Sequence, residues 1–169
     1  PKPVTAMMLE GESGDGAKAV KAVQISHVVN AAVSWWDEHI DLTDAQLAKL
    51  KAATIDIDNL GGGANSGWIL GENDGDNIMI DDDAAGHGWS LGLGDVAQNK
   101  VDLFSVLVHE MGHVLGKTDE QMGASLAVGE RMLPMTSTTP PGNGDDQHGA
   151  PPSTDHGRPD VDQLLALVG

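Results

Sequence analysis

Val108-His109-Glu110-Met111-Gly112-His113-Val114-Leu115-Gly116-Lys117-Thr118-Asp119 is the one stretch of this chain whose residue types and spacing call for a particular chemistry. On a helix, residues four apart lie one turn above each other, so His109 and His113 present both imidazoles to one point. Neutral imidazole nitrogen suits zinc, which takes three protein ligands and keeps an open position for water. Glu110 lies about 100° around the helix from His109, placed to reach such a water rather than to share the metal. The third ligand must come from beyond the helix. Gly116 stands where a left-handed residue ends a helix and turns the chain back, and Asp119 follows three residues later.

A bare H-E-x-x-H arises by chance in roughly one chain in a hundred of this length, and Gly and Asp at their places lower that by about another hundredfold. The full string H-E-x-x-H-x-x-G-x-x-D resembles the extended zinc signature of the metzincin metallopeptidases, in the snapalysin-type variant that ends in Asp rather than His. Two carboxylates compete with Asp119: Glu120 beside it, and Glu130, at the distance from which a following helix completes a thermolysin-like site. A glycine break followed at once by an acid favours Asp119.

The resemblance covers roughly residues 17–131 in layout and implies an α+β fold. Its parts are a small twisted, mostly parallel sheet with an antiparallel edge strand, a long backing helix, an active-site helix and a short C-terminal part. It further implies a zinc endopeptidase, a matrixin-like domain of a large exported bacterial protein. There His109, His113 and Asp119 are the metal ligands, and Glu110 is the general base acting on metal-activated water. A methionine turn under the metal is also implied, with Met122 or Met132 to fill it. Met122 opens the run Met-x-x-x-Leu-x-x-Gly-x-Arg but lies only three residues past Asp119. An acid in place of a third histidine is expected to make the peptidase slow. The alternatives are a metal-binding module of a surface protein without turnover, a self-processing domain, or a helix whose histidines hold no metal.

The chain has 169 residues, enough for one domain with a real core. No cysteine is present, so disulfides and thiolate metal sites are excluded. A net charge of −17, from 26 acidic and 9 basic residues, argues against nucleic acid or anionic membranes as partners. It suits a soluble protein exported into salt water or a calcium-containing medium, though a halophile's cytosol gives the same balance; the expected enzyme is a secreted monomer acting on protein or peptide, with calcium as a second candidate ion. No apolar run approaches a membrane span, and the opening at Pro1 reads as the mature or excised part of a longer exported protein.

Along the chain, residues 1–16 read as an extended lead-in ending in the acidic, glycine-rich Gly11 to Gly16. A frayed terminus is the plainer reading, and a propeptide in which Glu12 or Asp15 blocks the metal is the sharper one. Residues 17–135 are the expected metallopeptidase domain. Apolar spacing predicts a long helix from Ala17 to His39 packing on a sheet, with only one of Trp35 and Trp36 fully buried. Thr43 and Gln46 form a capping box for a short helix to Ala52. Strands are expected at Thr54–Asp58, Trp68–Gly71 and Asn77–Asp81, the last two flanking an acidic turn, Glu72–Asp76, able to hold calcium. Asp81, Asp82 and Asp83 need a positive partner nearby, and by resemblance Ile78 to Ala84 pairs with a peptide substrate. His27, His39 and His87 lack metal spacing and read as structural. Asp102 is the N-cap of the active helix. Residues 136–160 are linker-like, with His148 and His156 in a crude His-Gly doublet, and 161–169 are a short terminal helix.

Overall fold

The computed structural model describes residues 5–63 and 65–135. The Thr43–Gln46 box starts α2 (Asp44–Ala52): Thr43 Oγ1 accepts the Gln46 N–H at 3.2 Å and Gln46 Oε1 accepts the Thr43 N–H at 3.0 Å. Before it, α1 (Ala22–His39) buries Ile25, Val28, Ala32 and Trp36, while Trp35 stays half-exposed. α1 begins later than the apolar spacing predicts. The Val20 N–H is bonded to the Asp82 carbonyl, and the Gln24 side chain accepts the Lys21 N–H, so the first helical turn closes only there.

The protein is a mixed α+β structure. β1 (Thr5–Glu10), β2 (Thr54–Asp58), β4 (Gly67–Asp74), β5 (Asn77–Asp81) and β8 (Ser125–Ala127) form a sheet in the order β2-β5-β4-β1-β8, with β3 (Gly62–Gly63) paired to β4. β2, β5, β1 and β8 run one way, and β4 runs against its neighbours β5 and β1. The expected antiparallel strand is therefore present but central, because β1 has added to its outer side. Residues 5–10 of the lead-in are thus part of the sheet and not a frayed end. β5 is likewise interior, with β2 on one side and β4 on the other. This corrects the expectation of peptide pairing along Ile78–Ala84, since residues 78–80 have both edges taken and Asp81 is paired to β2.

After β5 the chain turns tightly, with Ala84 and Ala85 both at positive φ. Asp81 holds that turn: its two oxygens accept the N–H groups of Leu60 and Ala85, and Asp83 accepts that of Gly86. Backbone N–H groups thus supply the positive partners that Asp81 and Asp83 need. His87 Nε2 meets the Glu12 carbonyl at 2.9 Å, a structural contact as expected. β6 (Trp89–Ser90) and β7 (Val101–Asp102) make a small second sheet leading into α3 (Leu103–Val114).

α3 lies chiefly between α1 on one side and β4 and β1 on the other, and every one of its residues is buried. Its start is fixed by Asp102, whose Oδ2 accepts the Ser105 N–H and hydroxyl while pairing with Arg131 at 2.8 Å. α1 therefore backs α3 more than the sheet itself. The linker-like stretch 136–160, the His148 and His156 doublet and the terminal helix 161–169 lie outside the described residues. Among the described residues no helix is long and apolar enough to cross a membrane.

Candidate metal centre

Spacing and a helix stop build the site. The last turn of α3 closes with the Gly116 N–H on the His113 carbonyl and the Lys117 N–H on the Gly112 carbonyl, at 3.0 and 2.9 Å. This pair of closing bonds requires a left-handed residue at its corner, and Gly116 has φ +83°. Lys49 Nζ donates to the Val114 carbonyl and satisfies another free acceptor of that turn. The reversal has two effects on the site. It sets the Lys117 carbonyl 3.0 Å from His113 Nδ1, and it brings Asp119, the first residue of α4 (Asp119–Met122), back over the imidazoles.

His109 Nε2 and His113 Nε2 are 3.0 Å apart, and Asp119 Oδ1 lies 3.4 Å from the first and 3.1 Å from the second. A tetrahedral zinc with bonds of about 2.0–2.1 Å places its ligand atoms about 3.3 Å apart. These three atoms fit that requirement. A carbonyl only accepts, so His113 carries its proton on Nδ1 and leaves Nε2 with a free lone pair, the tautomer a metal needs. Burial, and then the neighbouring His113, push the pKa of His109 down to about 4, against the pull of Asp119 and the Gly123 backbone. It is therefore neutral at physiological pH, as a ligand must be.

Glu110 is completely buried. Its Oε1 accepts the Met7 N–H from β1 at 3.1 Å, and its Oε2 has no partner. Burial holds its carboxyl well above the usual glutamate range, with Asp119 and Glu72 adding to the rise and the Met7 N–H opposing it. Asp119 Oδ1 is also buried without a hydrogen bond, whereas His109 Nδ1, on the far side of its ring from the shared point, has the Gly123 backbone beside it. Buried polar atoms are rarely left unpaired, and two of them beside a pair of imidazoles fit a site built to hold a cation. Ligand-type atoms of His109, Glu110 and His113 lie within 4.8 Å of one another, so Glu110 is itself within reach of the centre. Asp119 lies outside that group of three, but its Oδ1 is 3.4 and 3.1 Å from the two imidazoles, an approach that neither Glu120 nor Glu130 makes.

The back of α3 is braced. Trp36 Nε1 donates to the Val108 carbonyl at 2.9 Å, and Met122 packs against Gly112. Met132 lies over Gly123 instead, with its N–H on Ser105 Oγ. A cavity of about 260 Å³, lined in part by Trp36, Ile40, Met122 and Pro134, adjoins the loop carrying Asp119. Sequence reasoning missed Met7, whose backbone reaches Glu110 from 103 positions away. No local pattern signals such a contact. No family model, curated protein or solved structure matches this chain.

Proposed function

We propose that the chain is a zinc-dependent endopeptidase of metzincin-like, snapalysin-type fold, in which His109, His113 and Asp119 hold the metal and Glu110 moves the proton. The observation that carries this reading is the meeting of three ligand atoms at 3.0, 3.1 and 3.4 Å beside an unpartnered Glu110 oxygen. Zinc bound there supplies Lewis acidity at a peptide carbonyl and lowers the pKa of water to about 7. Lys117 keeps His113 in its ligand tautomer, and burial keeps His109 neutral. Glu110 accepts a proton at its unpartnered Oε2 as water attacks the carbonyl and returns it to the leaving amine. The acidic, cysteine-free composition suits an exported protein acting on polypeptides.

A second reading, a metal-holding module without turnover in a larger exported protein, is favoured by the full burial of Glu110 and the Met7 N–H on its Oε1. Casein cleavage separates the two. The peptidase cleaves with zinc and stops with a chelator, and Glu110→Ala keeps one zinc per chain while losing about 10²–10⁴-fold in rate. Equal cleavage by wild type and variant removes Glu110 as the base. Zinc retention with no cleavage by either supports the second reading.

A further inference from the structure

Glu110 is covered by a backbone. β1 passes over it, and the Met7 N–H donates to Oε1 at the point where the strand breaks register. The register shifts between Met7 and Met8, and the next N–H, that of Met8, points to the other side of the strand, onto the Ala124 carbonyl beside β8, at 2.9 Å. On the facing strand, Met7 pairs with Gly71, where an added Cβ would meet Val106 and come within 3.2 Å of the Glu110 side chain. The two strands thus bring bare main chain down onto the carboxylate, as happens where a ligand's backbone approaches closely.

Without β1, the order β2-β5-β4 would end on β4 as an antiparallel edge, and β8 would lose its partner. Between them would run a slot one strand wide, with Glu110 at its floor. An unpaired edge is a template for strand addition. β1 itself is poorly suited to be a permanent strand: Thr5-Ala6-Met7-Met8-Leu9-Glu10 is mostly helix-favouring. It is held by two buried side chains, Met7 and Leu9, and by its pairing. Behind it Gly14 and Gly16 are pinned by their N–H groups on the Ala85 and Gly86 carbonyls. Gly11, at φ +109°, lies in open space between that anchor and the strand. The arm ahead of the anchor is therefore free to leave without dragging α1.

We infer that β1 is a displaceable occupant of the protein's own peptide-binding groove, and that the groove accepts an extended peptide antiparallel to β4 with apolar side chains in the places of Met7 and Leu9. The assignment of that peptide as substrate rests on the peptidase reading; the displacement does not. Release of β1 uncovers Glu110 and the β4 edge together, so the arm holds the site closed until a competing strand or cleavage of the arm removes it.

The chain has no cysteine, so a single engineered pair tests this in all 169 residues together. Met8 faces Ile69 across the strands and directs its N–H to β8, which makes the two a pair without mutual hydrogen bonds. Their Cα atoms are then about 4.5 Å apart, within disulfide reach. The probe is a fluorescein-labelled peptide with the sequence of residues 5–11, followed by anisotropy with a chelator present so that nothing is cleaved. The Met8→Cys/Ile69→Cys protein binds it when reduced and not when oxidised. A chain starting at Gly11 keeps its circular dichroism and binds at least about tenfold more tightly, because an intramolecular competitor at high effective concentration is gone. Equal binding by both redox states, no binding by either, or unfolding of the shortened chain overturns the proposal. With zinc, casein cleavage follows the reduced state only. Redox-dependent peptide binding without cleavage in any form leaves the groove standing and removes the peptidase reading instead.

Discussion

Gly112 lies on α3 between His109 and His113, and a Cβ there would strike the Met122 sulfur and the Trp36 ring. Gly112→Ala gains about 1 kcal/mol of helix propensity. Overpacking of a filled interior costs about 1–3 kcal/mol, and both neighbours are themselves buried, so the variant is expected to be less stable. Urea denaturation reads the change as a lower midpoint. Asp81 makes a pH prediction. Burial holds its pKa above the ordinary value of 3.8, against the lowering effect of the Ala85 and Leu60 N–H groups. The folded state therefore binds this proton more tightly than the unfolded state. The contribution is complete below the unfolded pKa and is lost as pH rises through the raised one. Asp81→Asn should flatten that decline, measured as the difference in Tm between variant and wild type across the acid range. A difference constant with pH would refute it. At this scale the sequence is most legible where chemistry is local: His109, Glu110, His113, Gly116 and Asp119 follow from helix pitch and one helix stop. Met7 is illegible as a site residue, because it acts through its backbone N–H, which its apolar, buried side chain does not signal.

α3 is clasped at its start. Arg131 donates through Nε to one Asp102 oxygen and through a terminal nitrogen to the other, at 2.8 and 2.9 Å, and also reaches the Gly92 and Leu93 carbonyls. Asp102 is fully buried. Asp102→Ala removes the cap and leaves a partly buried guanidinium without its counter-ion, a loss of about 3–5 kcal/mol, seen as a large fall in denaturation midpoint. Arg131→Lys keeps the charge but not the two-pronged geometry, so a smaller loss in the same measurement is expected. Elements with a short-range signal can be read from the residues alone: the Thr43–Gln46 box, the alternation of Thr54–Asp58, the Asp102 cap. The strand at Thr5–Glu10 cannot. Its residues favour helix, and only β4 and β8, far along the chain, impose extension on it. The same long-range pairing hides which strand stands at the edge, since alternation gives a strand's faces but not its neighbours.

For the molecule as a whole, 26 acidic against 9 basic residues leave a net charge of −17, and this excess of one sign opposes folding through self-repulsion. Added sodium chloride shortens the screening length to about 10 Å at 0.1 M, so Tm should rise with salt, and a flat or falling Tm would contradict a charge-limited stability. Zinc should act through mass action. At a hundredfold excess over Kd it adds about 2.7 kcal/mol, visible as a Tm increment that a chelator cancels and that His113→Ala lacks. The Asp102–Arg131 clasp has a consequence for these measurements. It ties the entrance of α3 to a residue beyond Asp119, so the segment between them is a closed ring with Asp119 on its circumference. Swinging Asp119 away from the imidazoles strains a circle instead of freeing a tail. Cutting the ring by Arg131→Ala should therefore quicken the escape of a bound ion, as timed by a colorimetric chelator, even where the equilibrium fold survives.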